Sequence, residues 1–277
     1  MTSHDVVARV RRVTGISRVG HAGTLDPGAS GVLPIAVGMA TRLLPYAELS
    51  PKIYRGRAVL GSTTLTGDGD GPVVGRSGGR AWSGREIHSA ARWLCGTIWQ
   101  VPPQVSALRG GGRRHYDVVR RGGVVWPDPR RVTVDALDEI AVLDDGWSFR
   151  CQVSPGTYVR ALVRDWGYLM GGAAHLTQLV REAVGAFRVG DAVTLDQLAA
   201  SASLWSHYVT PWQNYLAMDA YVLDPPEARW AGHGDPRLFE NFSDSFGGRL
   251  ALTAGGRLVG IAEGPPWRYC VVFEEGF

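Results

Sequence analysis

The stretch RRVTVDALDEIAVLDDGWSFRCQVSPGTYVRALVRDWGYLM, from Arg130 to Met170, limits the fold more than any other part of this chain. It predicts two strands, a turn at Asp144 to Gly146, a third strand, and then a helix that starts near Tyr158. Strands joined by short turns pair antiparallel, and nothing here supplies the regular βαβ alternation of a parallel sheet. The expected class is therefore α+β, with a mixed or antiparallel central sheet flanked by helices. Downstream, AAHLTQLVREAVGAFRVGDAVTLDQLA predicts a helix, a strand and another helix.

The remaining segments extend this picture. Thr2 or Ser3 can cap an N-terminal helix whose apolar stripe is Val6, Val7, Val10 and Val13, with Gly15 at its end. KIYRGRAVLGSTT alternates Tyr54, Gly56, Ala58 and Leu60 against Arg55, Arg57 and Val59, the pattern of a strand with one wet face. A helix over Ser83 to Cys95 turns Ile87, Ala90, Ala91 and Leu94 inward. From about Tyr215, short apolar pieces separated by Gly and Pro predict a small all-β unit, so the chain divides into 1–214 and 215–277.

With 277 residues, 45% of them hydrophobic, the chain can bury a substantial core. The N-terminal MTSHDVVARVRR carries charges where a signal peptide needs its apolar segment, and no apolar run is long enough to span a bilayer. A cytoplasmic location without membrane attachment is expected. The three cysteines, Cys95, Cys151 and Cys270, are scattered and lack Cys-x-x-Cys spacing, which predicts neither disulfides nor zinc. GDGDG at 67–71 lacks the later ligands of a calcium loop and reads as a turn. The sequence offers no His-x-x-x-His or cysteine cluster for a metal, no nucleotide cradle and no nucleophile elbow. The net charge of +3 says little, but between Gln104 and Arg131 seven arginines stand against two acids, Asp117 and Asp128. Such a segment is either a solvated face or a grip on a polyanion.

HAGTLDPGASG, from His21 to Gly31, sets one carboxylate among glycines. Proline disfavours the α conformation of the residue before it, so Asp26 is biased towards an extended backbone. The flanking glycines tolerate unusual dihedrals and allow another backbone to come close. Asp26 can serve as an Asx-turn or cap, or as a carboxylate presented for chemistry, and the loop alone leaves both open.

VGHAGTLDPGASGVLPIAVGMATRL resembles the signature loop of the TruB family, the tRNA pseudouridine-55 synthases, with the family's aspartate at Asp26. TSHDVVARVRR, KIYRGRAVLG, TGDGDG, QVPPQVSALR, RRVTV, SPGTYVRALVRDWG and AHLTQLVREAVGAF match further motifs in family order and cover most of residues 1–200. The resemblance implies a pseudouridine synthase catalytic domain over 1–214, with an arginine-rich RNA-binding segment over 104–131. It implies a PUA-like RNA-binding domain over 215–277. The implied reaction is conversion of a uridine to pseudouridine in the T-loop of tRNA, by base flipping, with Asp26 as the catalytic carboxylate and neither cofactor nor metal. By the same matching, Arg160 is the cation beside Asp26, Tyr54 stacks on the target base, Tyr158 lines the pocket and Leu179 closes its apolar wall. His21 fills the space the base vacates, while Arg109, Arg113, Arg114, Arg120 and Arg121 hold phosphates. A monomer is expected.

The chain departs from the family pattern in places. Leu65 stands at an acidic position, Pro155 replaces the lysine of SKGTYIR, and the LRR after the histidine becomes Leu179, Val180, Arg181. Each change removes a polar group, and weaker RNA affinity is expected. The pattern also begins with a strand bearing a Leu-Asp-Lys-Pro-like motif before TSHDVV, whereas Met1 here coincides with an internal methionine of that pattern. A sheet short of this strand is expected, and greater stability and activity in a longer form. The alternative to an enzyme is a non-catalytic tRNA-binding or folding-assistance protein on the same scaffold.

Overall fold

The structure, a computed structural model, describes residues 1–78, 82–106, 109–110, 113–114, 118, 123, 125–242 and 247–274. It divides into two compact units, one of residues 1–3, 24–33 and 49–192, the other of residues 4–23, 34–48 and 193–277.

The first unit is built on a seven-stranded sheet. Its strands are β1 (Ser30–Gly31), β2 (Lys52–Leu60), β3 (Gly96–Gln100), β4 (Arg130–Leu143), β5 (Gly146–Val153), β6 (Ala174–Val184) and β7 (Phe187–Arg188). In space they run β7-β6-β2-β5-β4-β3, antiparallel throughout, and β1 joins β6 in parallel. Two helices, α1 (Gly84–Leu94) and α2 (Val159–Leu169), supply apolar residues to the sheet. Helix α1 begins with a capping box, in which Ser83 Oγ accepts from the Glu86 amide and Glu86 accepts from the Ser83 amide. Ile87 and Leu94 of α1 and Leu162 and Trp166 of α2 share one core with Tyr54, Ala58, Trp147, Phe149 and Cys151 of the sheet. The Trp166 ring centroid lies 4.9 Å from that of Trp147 and 5.6 Å from that of Phe149. Burying an aliphatic or phenyl side chain in such a core stabilises by roughly 1.5–3 kcal/mol.

The alternation of β2 is as the sequence predicts: Tyr54, Gly56 and Ala58 are buried, whereas Arg55 and Arg57 are not. Arg55 bridges Glu139 at 2.7 Å and Glu182 at 2.9 Å, and Arg150 reaches Glu182 at 3.0 Å. These half-exposed pairs contribute little stability each, but they keep one side of the sheet wet.

Two local expectations fail. The residues before Asp144 form one strand, β4, rather than two, bent by irregularities between Val134 and Ala136 and between Asp138 and Ala141. AHLTQLVREAV is strand β6, not a helix. Its Ala, Leu, Gln, Arg and Glu are good helix formers, but pairing with β2 along most of its length outweighs that preference.

In the second unit, Val7 and Val10 of the N-terminal helix Ser3–Thr14 pack with Val19 and Leu198. Strands Asp219–Val222, Gly248–Ala254, Arg257–Gly264 and Arg268–Val272 make a four-stranded sheet in that order, its first pair parallel and the others antiparallel. The C-terminal β region also carries a helix, Pro225–His233, capped by Asp224. Among the described residues, no helix is long and apolar enough to cross a membrane.

Candidate active site

The Asp26 loop is shaped by its backbone. The Ala29 amide donates to the Asp26 carbonyl at 2.9 Å, closing a tight turn in which Pro27 supplies the preset φ. Just before it, the Leu25 amide donates to Ser3 Oγ at 2.9 Å, and Ser3 is buried. Just after it, Ser30 and Gly31 pair with Val180 and Arg181 of β6, and the Val32 amide donates to the Arg181 carbonyl at 2.9 Å. Gly31 has φ 109°, and a Cβ there would sit 2.2 Å from the Arg181 carbonyl oxygen. Any side chain would lift the loop off the strand.

With the turn closed by backbone, the Asp26 carboxylate is directed at Arg160, in the first turn of α2. Arg160 Nη2 donates to Oδ1 at 2.9 Å, and Nε lies 2.8 Å from Oδ2 as a charge contact rather than a hydrogen bond. The arginine side chain is 5% exposed and the aspartate 39%, so the cation is sealed in while the anion keeps an open side. Arg160 Nη1 donates to the carbonyls of Thr66 at 2.5 Å and Val105 at 3.2 Å, and lies 3.7 Å from Asp68 Oδ2. Asp68 is itself fixed, since its Oδ1 accepts from Thr66 Oγ1 at 2.6 Å and from the Asp70 amide at 3.2 Å. Gly67, with φ 77°, brings this loop against the Arg160 stem; a Cβ there would lie 3.3 Å from Arg160 Cβ. Thus the TGDGDG segment is a turn, as expected, and it also walls in the arginine. Burying a guanidinium is costly unless its charge and donors are met; here two carbonyls and the Asp26 carboxylate accept from Nη1 and Nη2, and the Asp26 and Asp68 carboxylates compensate the charge.

Tyr54 is buried on β2, and its Cα is paired in register with Arg181. Burial raises its phenol pKa; the charge and hydrogen bond of Arg181 lower it only in part, so the hydroxyl keeps its proton at neutral pH. Tyr158 caps α2: its amide donates to Gln100 Oε1 at 2.8 Å, and Gln100 Nε2 donates back to its carbonyl at 3.2 Å. Arg130 lies over the Tyr158 ring, 5.6 Å from its centroid. Leu179 of β6 packs, partly buried, on the main core. His21 ends the strand Val19–His21, which belongs to the second unit. Arg109 pairs with Arg114, and Gly110 with Arg113, in a short antiparallel ladder. Arg120 and Arg121 lie outside the described residues. Cys151 is a core residue whose thiol is pushed up to about 12 by burial.

Arg181 received no role in the sequence reading. Its inward direction is a matter of strand parity, which the expected helix concealed.

Comparison with known proteins agrees with this arrangement. The family model described as TruB family pseudouridylate synthase (N terminal domain) matches residues 11–159, and that of the tRNA pseudouridylate synthase B C-terminal domain matches residues 160–227. A tRNA pseudouridine synthase B from Thermobifida fusca is 46% identical over 275 residues, covering 95% of this chain and 90% of that protein. One from Moorella thermoacetica is 43% identical over 205 residues, covering 73% and 67%. Among solved structures, a chain of a Cbf5–Nop10–Gar1 complex aligns with a TM-score of 0.69 over 99% of this chain and 76% of its own, at 21% identity. That last likeness speaks for the fold alone. The two family models and these relatives place the chain, with its largely antiparallel sheet, among the pseudouridylate synthases. Within that class it belongs to the TruB family.

Proposed function

We propose that this chain isomerises a uridine of tRNA to pseudouridine, and that the uridine is the one at position 55 in the T-loop. The observation that carries the reading is the half-exposed Asp26 carboxylate held against the buried Arg160 guanidinium. The reaction breaks the bond from ribose C1′ to N1 of the base, turns the base, and joins C1′ to C5. The C5 proton is lost and N1 gains one, with no net redox change and no hydrolysis. One preorganised anion suffices as nucleophile or as stabiliser of developing positive charge.

A uridine in the folded T-loop must leave its stack to reach Asp26. On this reading Tyr54 meets the flipped base, Tyr158 and Leu179 line the space around it, and His21 occupies the place it leaves. Support for Tyr54 comes from its retained phenol proton beside the Asp26 loop's strand. The segment 215–277 is read as a PUA-like RNA-binding domain, supported by its four-stranded sheet. The protein works as a monomer in the cytoplasm. Incubation with an unmodified tRNA transcript, followed by mapping of pseudouridine, tests the function. Conversion at position 55 is expected, and binding without conversion would leave only the non-catalytic alternative.

Arg109, Arg113, Arg114, Arg120 and Arg121 are assigned to phosphates of the same tRNA. Neutralising Arg113, Arg114, Arg120 and Arg121 together is expected to weaken binding at least tenfold at moderate salt. Each lost phosphate contact should also flatten the plot of log K against log salt by about 0.7–0.9. An unchanged slope would return the segment to a solvated face.

A further inference from the structure

Arg181 is among the largest side chains that are fully buried in this protein. Its Cα is paired in register with that of Tyr54, an inward residue of β2, and the register slips only beyond Arg181, before Ala183. The alternation of β6 therefore turns Glu182 out to Arg55 and Arg150 on the wet face and Arg181 inward. Its Nε donates to the Val32 carbonyl at 2.9 Å, and its Nη1 reaches the Thr24 carbonyl at 3.5 Å. Thr24 and Val32 bracket the Asp26 turn. The same guanidinium hydrogen-bonds Tyr54, and the Arg181 main chain accepts from the Val32 amide. One residue therefore holds both ends of the aspartate loop and the tyrosine opposite.

We propose that Arg181 is a positioning residue: its planar fork binds the two ends of the Asp26 loop and Tyr54 into one rigid body, fixing the carboxylate where the glycosidic carbon must arrive. A buried guanidinium is expensive to desolvate, and apolar replacements often serve stability equally well. Its use here follows from geometry, because arginine offers several donors in one plane whereas lysine offers a single point. Catalysis through a preformed anion tolerates little misplacement, and a shift of about 1 Å can cost about 10²-fold in rate. The proposal rests on the assignment of Asp26 as the catalytic carboxylate, but its effect on the loop does not.

Arg181→Lys and Arg181→Met give two independent readouts. For folded protein acting on an unmodified tRNA transcript, kcat should fall about tenfold in Arg181→Lys and about 100-fold in Arg181→Met, with KM within about threefold of the parent. By amide hydrogen exchange, peptides covering 24–33 should exchange about tenfold faster than in the parent, while those from β5 and α2 keep their protection. The exchange result stands whatever reaction the protein performs, which separates this proposal from the functional reading. Should Arg181→Met fail to fold, Arg181→Lys carries the test under the same criteria. Unchanged exchange in the loop would overturn the proposal. So would a kcat within threefold of the parent, or a rise in KM matching the fall in kcat.

Discussion

Asp26→Asn will bind tRNA and fail to convert it. The turn that presents residue 26 needs no carboxylate: it is closed by the Ala29 amide, preset by Pro27 and anchored through Leu25 on one side and β6 on the other. An asparagine therefore inherits the loop geometry, and one amide oxygen can still accept from Arg160. What disappears is the negative charge and the anionic lone pair, and with them any means of attacking carbon or stabilising positive charge on the sugar. The expected loss in kcat is on the order of 10⁴-fold, as for removal of an essential group whose surroundings remain intact. The affinity for tRNA, which the proposed function assigns mainly to phosphate contacts elsewhere, should stay within about threefold of the parent. Pseudouridine formation at more than about one hundredth of the parent rate would remove Asp26 from the reaction.

The parts of this fold that were legible in the sequence are those decided locally. Alternation marked β2, because one face of that strand meets the core and the other meets water. Asp144, Asp145 and Gly146 marked the hairpin between β4 and β5, and Ser83 with Glu86 is a helix start that needs no tertiary help. Strand β6 was illegible for the complementary reason. Its composition favours a helix, and only the pairing partner β2, more than a hundred residues away in the chain, makes it a strand. The error hid Arg181, since a helical reading assigns no inward parity to that position.

The site divides in the same way. The shape of the Asp26 loop follows from Pro27 and its glycines, which constrain a backbone wherever they occur. Its ion pair with Arg160 spans 134 residues, and no local rule joins them; the expectation came from the family resemblance. TGDGDG could be read as a turn but not as the wall of an arginine pocket, because a turn motif does not say what it packs against. Long-range contacts of this kind carry most of the electrostatics and least of the local signal.

Arg160→Met will lower kcat by about 10²–10³-fold, with tRNA affinity within about threefold of the parent. Methionine approximates the stem of the arginine, so α2 and the Gly67 loop retain their packing. Three acceptors lose their donor, the Asp26 carboxylate and the carbonyls of Thr66 and Val105, and the Asp68 carboxylate loses its counter-charge. Two anions then share a pocket with no cation between them, which should lower the melting temperature and let the Asp26 side chain leave its fixed direction. These two consequences can be separated. Adding Asp68→Asn to Arg160→Met removes one of the two charges, so the double variant should regain thermal stability relative to Arg160→Met. It should not regain rate, because Asp26 still has neither its counter-charge nor its orienting donors. Thermal melts and single-turnover rates on the same three proteins decide the matter. Recovery of rate together with stability in the double variant would mean that Arg160 serves to hold the fold rather than to orient the carboxylate.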